Sequence, residues 1–270
     1  MKFPWKQITR LDYGDFPAEI KNLLEICPNL AELRFRERDC EGSVQEALLP
    51  AKIFTLRTLT LSLCQTSRLS LAEMAFGSLI CPSLTSLLIE AENEYERPWP
   101  KASFHCFMGR SLFHLTIFSI KSVPVSDSEF FGVLGRLPSL LHLTVDNSSL
   151  IGSDPLTPLL FQIFHACPPA GYDTGSSALL PKLKSLDITF DAIDSEGAER
   201  EPIDQAFVEM VQSRWFPDEF VNGCKTDAEI ACLRSVVLRL INRDVDEEAY
   251  RPLKYMEKAG MRVVISGENS

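Results

Sequence analysis

Leu56-Arg-Thr-Leu59-Thr-Leu61 and Leu84-Thr-Ser-Leu87-Leu-Ile89 are two copies of one phrase. It reads apolar, two variable residues, Leu or Val, one variable residue, apolar. The phrase returns in both directions. Upstream stands Leu30-Ala-Glu-Leu33-Arg-Phe35, with a weaker copy at Ile8-Thr-Arg-Leu11-Asp-Tyr13. Downstream come Leu112-Phe-His-Leu115-Thr-Ile117 and Leu140-Leu-His-Leu143-Thr-Val145. Leu183-Lys-Ser-Leu186-Asp-Ile188 and Leu233-Arg-Ser-Val236-Val-Leu238 follow, and Met261 to Ile265 reads as a last strand. From Leu30 to Leu140 the first positions step by 26, 28, 28 and 28 residues. The next steps stretch to 43 and 50, and Ile8 to Leu30 is a shorter step of 22. Four near-equal steps are a repeat signal that leucine abundance alone does not produce.

Each copy has the same grammar. The Leu-x-Leu ending is strand-like, because successive side chains on a strand face opposite ways. Ahead of the phrase comes a helix-like run, such as Phe16 to Ile26, Ala72 to Ile80 or Ser128 to Leu137. In the first of these, Ile20, Leu23, Leu24 and Cys27 recur at helical spacing. Pro28, Pro82, Pro138 and Pro181 each stand two residues before a phrase. Proline lacks an N–H and disfavours helix at the residue before it, so it marks the helix-to-strand joint. A strand plus a helix of this length cannot bury its own apolar side, and stacked units can. Leu59, Leu87, Leu115 and Leu143 are then a ladder of core positions.

The expected fold is α/β: a solenoid or horseshoe of about eight units, with a parallel sheet on the concave face and helices on the convex face. It is read as a single domain, 1–270, with regular repeats over 28–146 and insertions at about 150–180 and 191–230. The first insertion holds an apolar helical piece, Leu159 to Ala166, and the loop Pro168 to Ser177. The second holds the acidic run Asp191 to Glu201, a helix Ile203 to Trp215 and a polar loop to Asp227. A closing unit spans about 232–266, its helix starting at Asp246 and ending before Gly260 in the manner of a C-cap glycine. At the other end only Phe3, Pro4 and Trp5 precede the first repeat. Terminal repeats need a capping surface, so either a preceding domain or Trp5 is expected to supply it.

Composition excludes several function classes. The net charge is −10, and no run of Lys and Arg offers a basic face for nucleic acid. No stretch approaches the 18 or so apolar residues of a membrane span, and the N-terminus does not read as a signal peptide. The eight cysteines contain no C-x-x-C pair and are read as reduced thiols, in cytoplasm or nucleus. Cys27, Cys81 and Cys167 each precede a proline and read as small buried groups packing the joint. No phosphate-loop, dinucleotide, nucleophile-elbow or zinc-protease string occurs, so no cofactor, no metal and no enzymatic activity are expected. His114 and His142 stand 28 residues apart in one phase, which places them side by side on the open strand face. They read as contact residues, with a metal pair or a pH-sensitive contact as the other readings.

The phrase resembles the leucine-rich-repeat family over nearly the whole chain, although only Cys64 fits that family's closing Asn/Cys position. The strings Phe207-Val-Glu-Met-Val-Gln-Ser-Arg-Trp215, Cys232-Leu-Arg-Ser-Val-Val-Leu238 and Leu253-Lys-Tyr-Met-Glu-Lys-Ala-Gly-Met261 resemble the repeat region of F-box proteins from mushroom-forming fungi. That resemblance implies a substrate receptor of a cullin-type ubiquitin ligase. Its repeats would hold a protein substrate, and an F-box would bind the adaptor. The F-box itself is not evident. Phe16-Pro-Ala-Glu-Ile20 echoes one but falls in the phase of the first convex helix. Adaptor and cullin are therefore expected only through an F-box that this sequence does not show. The alternative is a free-standing repeat scaffold or inhibitor unrelated to ubiquitin. On either reading the phase nominates a protein-binding face: Arg10, Glu32, Arg34, Arg36, Glu90, His114, Phe118, His142, Asp146, Asp187 and Arg239.

Overall fold

The structure is a computed structural model. It describes residues 4–14, 24–37, 51–65, 70–92, 95–148, 158–166, 178–191, 200–215 and 230–268. Three expected features lie outside these residues: the loop Pro168 to Ser177, the acidic run over 192–199, and the polar loop to Asp227. So does the expected helix Phe16 to Ile26 apart from 24–26, and with it the F-box-like string. The chain forms two compact units, Met1–Pro124 and Val125–Ser270.

In the first unit the elements run β1 (Arg10–Gly14), β2 (Glu32–Arg36), β3 (Ala51–Lys52), β4 (Thr58–Leu63), α1 (Leu71–Ser78), β5 (Leu79–Ile80), β6 (Ser86–Ala91), α2 (Lys101–Ser111) and β7 (Ile117–Lys121). Strands β1, β2, β4, β6 and β7 pair in that order, all parallel. The short β3 and β5 make a separate parallel pair. The second unit holds α3 (Asp127–Leu134), β8 (His142–Asp146), α4 (Pro158–Phe164), β9 (Ser185–Asp191), α5 (Arg200–Arg214), β10 (Ser235–Ile241), α6 (Arg251–Lys258) and β11 (Arg262–Glu268). Strands β8, β9, β10 and β11 are again parallel and in sequence order. The fold is thus α/β, with parallel strands joined by helical connections.

The register carries the repeat. Leu11, Leu33, Leu59 and Leu87 lie level across β1, β2, β4 and β6. Leu33, Leu59 and Leu87 are buried, and each contributes roughly 1.5–3 kcal/mol by transfer from water. One backbone device recurs ahead of the strands: a carbonyl accepts two successive N–H groups of the next copy. Thr9 accepts from Ala31 and Glu32, Ala31 from Arg57 and Thr58, Arg57 from Thr85 and Ser86, and Thr85 from Thr116 and Ile117. In the second unit Leu141 accepts from Lys184 and Ser185, and Lys184 from Arg234 and Ser235. The proline joints share a turn as well. The N–H of Leu30, Leu84, Leu140 and Leu183 each donates to the carbonyl three residues back, at 3.2, 3.2, 3.0 and 3.1 Å. Proline stands second in each of these turns, where its fixed φ suits the geometry.

One register differs from the expected phase. Ser86 pairs with Ile117 and Leu87 with Phe118, so the fifth phrase is Leu115-Thr-Ile-Phe118-Ser-Ile120. The sequence fits two frames three residues apart, and packing selects the later one. Phe118 is fully buried against Phe104, ring centroids 6.5 Å apart. Phe104 in turn meets Phe76 and Trp99, both at 5.1 Å. The earlier frame would put the Phe118 ring in water and forfeit those contacts, each worth roughly 0.5–1.5 kcal/mol beyond area. Leu112, a core position in that frame, is 75% exposed and caps α2 in the left-handed region at φ 52°. No proline stops this helix. It runs to Ser111, whose hydroxyl accepts the Cys81 N–H at 3.0 Å.

Buried polar side chains tie the connections to the strands. The Glu37 carboxylate accepts the N–H of Cys64 at 2.8 Å and of Leu71, the first residue of α1, at 3.0 Å. Arg214, wholly buried at the end of α5, donates to the carbonyls of Phe164, Leu179 and Leu180. Asp204 on α5 is paired with Arg243 and accepts the Tyr250 hydroxyl at 2.5 Å. At the end of α6, Gly260 has φ +100°, a conformation glycine adopts without strain.

Candidate protein-binding face

Alternate positions of each strand point away from the buried ladder. In the first unit these are Arg10 and Asp12; Glu32, Arg34 and Arg36; Thr58, Thr60 and Ser62; Ser86, Leu88 and Glu90; Ile117, Ser119 and Lys121. Their charges are matched across strands. The Arg36 guanidinium donates twice to Asp12, at 3.0 and 2.5 Å. Arg34 is paired with Glu90 and donates to the Ser62 hydroxyl at 3.1 Å. Ser62 donates in turn to Glu90 at 2.7 Å. Arg10 lies 3.5 Å from Glu32. Arg36 reaches Asp12 diagonally, and Arg34 reaches Glu90 two strands away through Ser62, within the range of long side chains on one sheet face. The Arg36 hydrogen bond holds the Asp12 carboxyl below its usual value, helped by the charges of Arg34 and Arg10. These pairs fix the long side chains before any ligand arrives, which lowers the ordering cost of an interface. Ser62 donates to a carboxylate that Arg34 already neutralises, an arrangement that orders the face and does not ionise the hydroxyl.

Nine of the eleven nominated residues stand on outward strand positions. In the second unit these are His142, exposed and level with Ser185, then Asp146, Asp187 and Arg239. Arg239 is paired with Asp187 at 2.6 Å. Asp146 accepts the N–H and hydroxyl of Ser148 at 3.1 and 2.7 Å. The other two require correction. Phe118 is not on the open face; it is a core residue, for the packing reason given above. His114 is exposed but precedes β7, and Ile117 stands level with Ser86 in its place. The strand position that was to set His114 beside His142 is therefore not occupied by His114. Among the described residues no group of three or more His, Cys, Asp and Glu stands together as a metal site would require.

No family model matches the chain, and no curated protein matches it.

The phase error hid two residues of the face. Ile117 is 40% exposed and Lys121 is exposed at the far end of the same strand. Leu88 is half-buried, one strand away. The signal that could have found them was in the sequence: Leu115, Phe118 and Ile120 satisfy the phrase as well as Leu112, Leu115 and Ile117 do, and no proline precedes Leu112. Among the described residues no helix is long and apolar enough to cross a membrane.

Proposed function

We propose that this chain is a leucine-rich-repeat solenoid whose open strand face binds another protein, and that it is the substrate-recognition part of an F-box type cullin ubiquitin ligase. The observation that carries the binding reading is the composition of the first unit's open face. Half-buried Leu88 and exposed Ile117 lie diagonally across β6 and β7, next to the ordered Arg34–Ser62–Glu90 group, and Lys121 stands level with Glu90. Apolar contacts flanked by pre-ordered polar groups are the anatomy of an interface centre. The concave curvature belongs to the same proposal, as do a location in cytoplasm or nucleus, the absence of catalysis and the absence of nucleic-acid and membrane partners. Fixed interlocked charges also favour a protein ligand over a polyanion, because little unpaired positive charge remains on this face.

The ligase part rests on the resemblance of the C-terminal strings, and a separate experiment tests it. The chain is expressed with an F-box placed ahead of it, and the bound protein is followed for ubiquitylation and turnover. Cullin-dependent loss of that protein is the expected result. A bound protein that stays unmodified leaves a binding scaffold without ubiquitin function and removes the ligase assignment.

A further inference from the structure

Strand β11 is seven residues long, Arg262-Val-Val-Ile-Ser-Gly-Glu268, and pairs with β10 along one side. Its other edge is unpaired among the described residues. Edge strands are commonly blunted by lysine, proline, a bulge or a short length. None of these interrupts β11. Val264 on its outward side is 37% exposed. On the inward side Val263 and Ile265 are half-exposed and line a shallow cavity of roughly 330 Å³ of mixed character, with Val245, Tyr250 and Leu253 on its apolar part and Glu247, Lys254 and Glu257 on its charged part. Gly267 is fixed in this arrangement, because a Cβ there would stand 2.3 Å from the Arg243 carbonyl oxygen.

The charges at the two ends of this edge select what pairs with it. Arg262 and Glu268 are both exposed, lie on the same side of the strand, and make no ion pair among the described residues. They are also equidistant from Ile265. When a second β11 is laid antiparallel with Ile265 opposite Ile265, Arg262 falls opposite Glu268 of the other copy, twice. Val264 then meets Ser266, and Val263 meets Gly267. Such a pairing is self-complementary, as a two-fold interface must be. A parallel pairing of the same strands in register would set Arg262 against Arg262 and Glu268 against Glu268, which is repulsive.

We infer that two copies of this chain associate edge to edge through antiparallel β11 strands, locked by reciprocal Arg262–Glu268 ion pairs. The pairing supplies hydrogen-bond partners to the edge left unpaired among the described residues and sets Ile265 of the second copy opposite Ile265, which lines the cavity.

Sedimentation velocity of the 270-residue chain over a range of concentrations tests this. The expected result is a reversible rise from 30.3 kDa to twice that mass. Glu268→Arg and Arg262→Glu each set like charges opposite and should raise the dissociation constant roughly tenfold. The double variant, Arg262→Glu with Glu268→Arg, should restore association. Val264→Asn, on the exposed outward side, should weaken it without bringing a charge beside the Arg262–Glu268 pairs. A chain that stays monomeric at high concentration overturns the inference. So does a dimer that is indifferent to Glu268→Arg, or a double variant that melts normally yet fails to re-associate.

Discussion

The two frames of the fifth phrase predict opposite responses at two positions, and this pair of substitutions is the sharpest test of the register. In the observed frame Phe118 is fully buried among Phe104 and its neighbours, and Leu112 is 75% exposed at φ 52°. Phe118→Ala removes a whole ring from a packed site and should cost about 3–5 kcal/mol. At roughly 2–4 °C per kcal/mol for a chain of this size class, the melting temperature should fall by about 6–20 °C. Leu112→Gly should do the reverse. Left-handed backbone costs a residue with a Cβ roughly 1–2 kcal/mol, and an exposed Leu has little burial to lose. The variant should be neutral or more stable by about 1 kcal/mol. In the other frame Leu112 is a core leucine, and Leu112→Gly would cost several kcal/mol while Phe118→Ala would cost almost nothing. The assay is chemical unfolding of each variant followed by far-UV circular dichroism. A destabilised Leu112→Gly beside a near-native Phe118→Ala would refute the register and with it the assignment of Ile117 and Lys121 to the open face.

Further outcomes follow from the buried groups. Arg214→Met should lower stability by about 3–5 kcal/mol, read by the same unfolding assay, because three carbonyls lose a charged donor at a wholly buried site. Burial pushes the Cys81 thiol up to about 12 from 9.0, so the folded state keeps its proton while the unfolded chain releases it. Its contribution is full below pH 9 and is lost between pH 9 and about 12; burial of Tyr95, also raised to about 12, has the same sign. An unfolding series over that range should therefore show falling stability, shallower in Cys81→Ala. Among the described cysteines, Cys106 is exposed and Cys27 and Cys81 are buried, so brief alkylation of the native protein should modify Cys106 and spare the other two. Glu90→Gln should cost at most about 1 kcal/mol, because the Arg34–Glu90 pair is over a third exposed, and thermal melting should barely register it.

How much was legible depended on whether a signal was local. Strands β1, β2, β4, β6, β8, β9, β10 and β11 all fall on the phrases or the last strand read from the sequence. Their alternation is a property of the chain itself, and the prolines mark where it begins. Helices α1, α3, α4 and α5 coincide with helix-like runs for the same reason, while α6 begins at Arg251 and not at Asp246, whose carboxylate instead accepts the N–H groups of Glu248 and Ala249 in a turn ahead of it. The phase of β7 was not legible. Two overlapping leucine frames score alike on local pattern, and only the Phe76, Trp99 and Phe104 cluster, distant in sequence, distinguishes them. The same holds for the polar ties. Glu37, Arg110, Asp204 and Arg214 look like ordinary charged residues in the sequence. Their roles come from partners between 27 and 50 residues away, which no spacing rule encodes: N–H groups for Glu37, the Phe76 carbonyl for Arg110, carbonyls for Arg214, and the Arg243 and Tyr250 side chains for Asp204. On the candidate face the sign of each charge was legible, while its pairing was not. Arg34 and Arg36 read as free contact residues, and each is instead tied to an acid on a strand two repeats or one repeat away.

The most direct test of the binding face is a site-specific capture experiment. A photo-crosslinking residue is placed at Ile117 on the open face, and in a second variant at Tyr255, which is 64% exposed on α6. Each is also combined with Leu88→Asp. The binding proposal predicts one protein partner crosslinked from position 117, lost with Leu88→Asp and absent from position 255. Equal crosslinking from both positions, or capture at position 117 that is indifferent to Leu88→Asp, would contradict the assignment of the open strand face as the binding surface.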